Sequence, residues 1–150
     1  MFPHKHTQVG YLILGVLGVA LVYFVWIYGV IAAETSMPAF AIGVMAFVLI
    51  MLASFGTLTV SIDERQVVVK FSYGLFRKKF AVGDIASAVR VTNRWYYGWG
   101  IRLWFWPHMW IYNVSGFDAV ELRMKNGRVY RIGTDEPAEL EAAIKRAAHI

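Results

Sequence analysis

The sequence predicts a membrane α+β protein, in which a transmembrane helical hairpin precedes a small antiparallel β-barrel or sandwich closed by one C-terminal helix. Three observations predict it. Two uncharged apolar runs fill most of the first 56 residues, the hydrophobic period then changes to two, and one stretch of helical period ends the 150-residue chain. The 58% hydrophobic content is too high for an ordinary soluble domain.

No charged residue occurs from Val9 to Ala33, and YLILGVLGVALVYFVWIYGVIAA is long enough to cross a hydrocarbon core of roughly 30 Å as a helix. Glu34-Thr35-Ser36 interrupts. Met37 to Gly56 is a second such run, with Pro38 near its start, where a missing N–H costs little. Neither run has a polar face, which argues against two helices buried in a soluble core. The first is also longer than the roughly 7–15 apolar residues of a signal peptide. The expected division is therefore 1–56, a tail with spans at about 10–33 and 37–56, and 57–150, a separate domain. Gly29 with Ala33, and Ala39 with Gly43, have the spacing that lets helix backbones approach in lipid, so they are candidate helix-packing positions. Lys5, between His4 and His6, precedes the first span, Glu34 is the one charge between the spans, and the region after Gly56 is net basic. The positive-inside rule then predicts a multi-pass protein of the inner (plasma) membrane with both termini cytoplasmic. His4 and His6 read as a polar flank.

Past Gly56 the residues alternate. Leu58, Val60 and Ile62 form the inward face of one strand. Val67, Val69, Phe71 and Tyr73 form that of a second, Phe80 and Val82 that of a third, and IASAVRVT supplies a fourth in meander order. IRLWFW and WIYNV flank Pro107-His108 as two more, since proline cannot sit within a central ladder. In FDAVELRM, Val120, Leu122 and Met124 point inward, and Lys125-Asn126-Gly127 is a hairpin signal. A three-residue loop with Gly127 left-handed pairs Leu122 with Tyr130 and Val120 with Ile132, and sets Glu121 across from Arg131. The final helix has Asp135 or Glu136 as its expected cap, Pro137 in its first turn, an apolar stripe of Leu140, Ala143, Ile144 and Ala147, and a Glu141–Lys145 pair outside.

GWGIR followed by YNVSGFDAVELRMKNGRVYRIGTDEPAELEAAI resembles the second half of the bacterial pleckstrin-homology-like (PH-like) domains of small membrane proteins, and the preceding hairpin is similar to their layout. The resemblance runs from about Leu58 to Ile144. It implies seven strands in two orthogonal sheets, a PH-like barrel or sandwich with the helix plugging one end, and it implies no activity. Asp63-Glu64-Arg65 at the first turn supplies little positive charge, so a phosphoinositide site is not carried over.

Composition excludes much chemistry. With no cysteine there is no thiolate nucleophile, disulfide or cysteine zinc site, and the four histidines lack ligand spacing. There is no P-loop and no GxSxG, and aspartates fall at turns, where they bond local backbone. No catalytic residue, cofactor, metal or small-molecule substrate is expected, and the protein reads as a non-catalytic binding or assembly module, an accessory or scaffold subunit of a membrane complex; the alternatives are a sensor of anionic lipid head groups and, after it, an enzyme whose site has no recognisable motif. Two candidate contacts stand out. Arg77, Lys78 and Lys79 form the densest basic cluster, suited to anionic lipid head groups. Trp95, Tyr96, Tyr97, Trp99, Trp104, Trp106 and Trp110 are too much aromatic surface for so small a core, and they suit the membrane surface or a protein neighbour. Alternation puts Trp104 and Trp106 outward and Leu103 and Phe105 inward. The expected partners are the bilayer and either another membrane protein or a second copy. Nucleic acid is disfavoured because the basic charge is dispersed.

Overall fold

The computed structural model describes residues 4–33, 39–106 and 108–150. The expected Glu34-Thr35-Ser36 turn, Pro38 and Pro107 lie outside the described residues. In chain order the elements are β1 (His4–Val9), α1 (Tyr11–Ala32), α2 (Ala39–Ser54), β2 (Thr57–Ile62), β3 (Gln66–Phe71), β4 (Arg77–Ala81), β5 (Ile85–Thr92), β6 (Gly100–Phe105), β7 (His108–Asn113), β8 (Asp118–Met124), β9 (Val129–Gly133) and α3 (Pro137–Ala148). The class is α+β. The described strands form two separate sheets, ordered β1-β2-β3-β4 and β5-β8-β9-β7-β6, so nine strands stand where seven are expected, and neither sheet closes on itself.

The additional strand in the first sheet is the N-terminal segment. Instead of a free polar flank, His4–Val9 pairs antiparallel with β2, from His4 opposite Ile62 to Val9 opposite Thr57. Its inward positions are polar: His4, His6 and Gln8. Gln8 is buried and donates to the Ser115 carbonyl at 3.0 Å. His6 faces Asp135 through Nε2 and Glu136 through Nδ1 (3.0 Å), so the strand is clasped to the start of α3. Those carboxylates are thereby taken from the capping role expected of them. Glu136 does occupy the N-cap position, but its side chain makes no capping bond, and the Thr134 hydroxyl accepts the Glu136 N–H.

α1, with 22 residues, is long and apolar enough to cross a membrane, about 33 Å at 1.5 Å per residue. α2 has 16 residues. Of these two helices only Ile13 and Ser54 are buried, so most of their length projects from the sandwich, and Ile13 is the residue of α1 that joins its core. The helices leave the sandwich side by side: the Gly10 N–H donates to the Gly56 carbonyl at 2.7 Å, where β1 ends and β2 begins.

β2, β3 and β4 form the expected meander. The next strand departs from it. A 3₁₀ turn at Val82–Asp84 buries Val82 and sends β5 into the second sheet, against β8. β8 and β9 have the expected register, with Leu122 opposite Tyr130, Val120 opposite Ile132 and Glu121 opposite Arg131, and Gly127 has φ +83°. β9 also runs parallel to β7. The core between the sheets holds Leu58, Val60, Ile62, Val67, Val69, Phe71, Val120, Leu122, Ile132 and, from α3, Leu140, Ala143 and Ile144.

Tyr112 sits in this core with Phe71, Phe80 and Tyr130 around it. Burial, then the neighbouring Tyr130, pushes its phenol up to about 12 from the ordinary 10.0. A group raised in the folded state contributes stability that is complete below its unfolded value and is lost as pH rises through the folded one. Thermal unfolding followed against pH should therefore show falling stability between 10.0 and about 12. Tyr112→Phe should flatten that slope, and an unchanged slope would remove Tyr112 as its cause.

Candidate binding surfaces

The aromatic stretch divides by strand register. β5 and β6 are opposite edges of the second sheet, so the connection between them must cross the sheet's outer face. It does so as a 3₁₀ turn at Trp95–Tyr97, burying Tyr97 on Met109 and Ile111. Trp104, opposite Met109, is on the same outer face and packs against Tyr97 (centroids 4.9 Å) and Tyr96 (5.6 Å). Its indole N–H donates to the Trp106 carbonyl at 2.8 Å. Arg131, paired with Glu121 at 2.9 Å, lies over the Tyr97 ring. Trp99 and Trp110 instead pack, part-buried, against the core between the sheets.

Two expectations for this stretch need correcting. Trp104 points outward but is part-covered, because the crossing segment lies on it. Phe105 is not inward: it is 79% exposed and Trp106 is 89% exposed, both at the tip of the β6–β7 hairpin. With Trp95 (76%) and part-exposed Tyr96 they leave an aromatic rim along β6. Among the described strands β6 pairs with β7 alone, so alternate residues direct backbone N–H and C=O groups away from the sheet. Its one charge, Arg102, folds back to donate to the Trp99 carbonyl at 3.2 Å. Edge β4, in contrast, carries Arg77, Lys78 and Lys79, charges of the kind that protect edges from unintended pairing.

The basic cluster is likewise divided by the register. Lys78 shares the inner face with Phe80, its ammonium 5.8 Å from the Tyr130 ring centre. Arg77 and Lys79 point outward. Lys70 stands directly opposite Arg77, and Lys5 is on the same outer face from β1. Among the described residues this face has no carboxylate, and none of the four cations has an ion-pair partner. Like charges opposed across strands are destabilising, so the arrangement has a cost in the free protein.

One of the turns joins the hairpin. Tyr73 does not continue the inward row of β3, because the chain reverses at Ser72. The Ser72 hydroxyl donates to the Ala53 carbonyl (3.0 Å) in the last turn of α2, and it accepts the Thr57 N–H (3.1 Å). Phe55 stacks on Phe76 with centroids 5.1 Å apart. The turn is thus fastened to the end of α2, leaving Tyr73 77% and Leu75 65% exposed.

Among the described residues, the candidate packing positions Gly29, Ala33, Ala39 and Gly43 make no close contact between the helices. A Cβ placed on Gly29 or Gly43 would meet nothing within 4 Å, and Ala33 and Ala39 are exposed. At the other end of the sandwich a concavity of about 1180 Å³ opens between the β2–β3 turn and the end of α3. Its wall mixes Asp63 and Glu64 with Arg65, Lys79 and Arg146. The Asp63 carboxylate accepts the Arg65 and Gln66 backbone N–H groups, which hold it below the usual carboxylate range. It is a turn residue, as the sequence indicates. Comparison of the chain with protein families, curated proteins and solved structures finds no match to any of them.

Proposed function

We propose that this protein is a membrane-anchored, PH-like binding module that acts without catalysis, as a subunit to which another polypeptide docks along β6. The β6 edge, paired on one side only among the described strands and flanked by exposed Trp95, Tyr96, Phe105 and Trp106, carries this reading. An edge strand supplies main-chain hydrogen bonds to an added strand, and flanking aromatics provide the apolar anchors that dominate interface energetics. The contrast with charged β4 strengthens it, since a bare apolar edge is an aggregation hazard unless something covers it. The PH-like reading draws on the two sheets and the terminal helix, which packs on β5, β8 and β2.

The strand order supports an anchor of two helices. α1 is the one candidate span among the described residues, and because β1 and β2 are neighbours in one sheet, a chain that crosses the bilayer through α1 returns to the same side through the shorter apolar α2. The bond between Gly10 and Gly56 leaves no linker, and the sandwich is held at the membrane surface. With the positive-inside rule, both termini are cytoplasmic. A photo-crosslinker replacing Trp106 in the full-length protein should give a discrete adduct in native membranes, whereas one replacing exposed Arg123 on β8 should not. An adduct of twice the chain mass identifies a second copy as the partner. Equal labelling from both positions, or none, would remove β6 as the docking edge.

A further inference from the structure

The β3–β4 turn and the basic face beside it offer a second contact, of different chemistry. Tyr73 and Leu75 are exposed on a turn that is hydrogen-bonded to the last turn of α2. Lys70 is two residues before Ser72, hence within about 7 Å of it along the strand, and Arg77 is opposite Lys70. The head-group layer is roughly 5–8 Å thick on each side of the hydrocarbon. A turn level with the end of α2 therefore lies at the boundary, and the two cations lie at head-group depth. Lys5 is four residues from the Val9 end of β1, about 13 Å away, beyond a Debye length of roughly 8–10 Å.

We infer that this turn is an interfacial lipid site: Tyr73 and Leu75 enter the boundary of the bilayer that holds the hairpin, and Lys70 and Arg77 bind the phosphates of anionic lipids there. The inference rests on the hairpin being a membrane anchor, as proposed above, and is independent of the β6 partner. It explains two features otherwise without purpose. The apolar turn is exposed only to water unless lipid covers it. The opposed Lys70 and Arg77 repel each other unless an anion lies between them. The bond from Ser72 to Ala53 fixes the turn to the helix end, so binding requires little ordering of the chain.

The chain has no cysteine, which permits single-site labelling of the full-length protein. A bimane fluorophore on Leu75→Cys, and separately on Trp26→Cys within α1, can be followed in mixed phosphatidylcholine and phosphatidylglycerol vesicles in which one lipid is brominated. Position 26 should be quenched by either lipid. Position 75 should also be quenched, more strongly when the bromine is on phosphatidylglycerol. Lys70→Gln with Arg77→Gln should reduce that preference roughly fivefold per charge, the equivalent of about 1 kcal/mol each. Lys5→Gln with Lys79→Gln should change it far less. Quenching at 26 with none at 75 would overturn the lipid site alone, as would equal quenching at 75 by the two lipids. Absence of quenching at 26 would overturn the anchor and the lipid site with it.

Discussion

Gly133→Ala is expected to destabilise the sandwich by about 3 kcal/mol, the upper part of the usual range for overpacking a close-packed interior. Gly133 ends β9, beside the end of β7, and its missing side chain is what admits Asn113. A Cβ there would collide with the Asn113 amide oxygen and lie 2.6 Å from its amide carbon. Asn113 is buried and cannot simply turn away. Its Nδ2 donates to the Gly116 carbonyl (3.0 Å), and its Oδ1 accepts the Ser115 N–H (3.3 Å). Displacing it opens the β7–β8 turn and strands a buried amide, itself a loss of about 1–3 kcal/mol. That turn matters to β1 too, because the Ser115 carbonyl receives Gln8 from that strand. Gly127→Ala is the comparison. Gly127 needs its positive φ but has open space around it, so about 1 kcal/mol is expected. Denaturant unfolding of the full-length protein in detergent gives the ordering. The double variant Gly133→Ala/Asn113→Ala should lose less than the sum of the single ones. Strict additivity would show that the two side chains do not compete for the same space.

The contrast between these glycines shows what a sequence discloses. Gly127 was legible, because Lys125-Asn126-Gly127 is a local hairpin signal and the register it imposes sets every later pair of β8 and β9. Gly133 was not, because its neighbour Asn113 is distant in the chain and no local pattern links them. β1 was hidden for a related reason. His4, His6 and Gln8 occupy its inward positions, so it lacks the aliphatic alternation by which a half-buried strand is recognised, and its partner lies beyond the whole hairpin. Alternation in β5 correctly marked a strand but could not say which sheet it joins. The same limit applies to the surfaces. The charges of residues 77–79 were evident, but only the pairing shows that Lys78 turns inward while distant Lys70 and Lys5 complete the outer face. The aromatic excess was real, and the crossing segment that covers part of it follows from the strand order alone.

Phe71→Ala should cost roughly 3–5 kcal/mol, while Trp106→Ser should change stability by no more than about 0.5 kcal/mol. Both remove a large aromatic ring, and their surroundings decide the difference. Phe71 is 1% exposed and stands where three parts of the molecule meet. Its ring is 5.1 Å from Phe55 at the end of α2 and 6.4 Å from Tyr112 in the second sheet, and its N–H donates to the Phe76 carbonyl across the β3–β4 turn. Alanine there leaves a cavity that both sheets and the hairpin junction border, and partial collapse cannot fill it without moving Phe55 and Phe76. Trp106 has no such surroundings. At 89% exposure its indole has little contact to lose, and the bond that it accepts from Trp104 is to its backbone carbonyl, which serine retains. Thermal unfolding of both variants in detergent tests the difference in stability, and crosslinking from a photoreactive group replacing Phe105 tests the difference in role. Trp106→Ser should unfold like the wild type yet weaken adduct formation. If Trp106→Ser were as destabilising as Phe71→Ala, the indole would be serving the fold, and the aromatic rim of β6 could no longer be set aside for a partner.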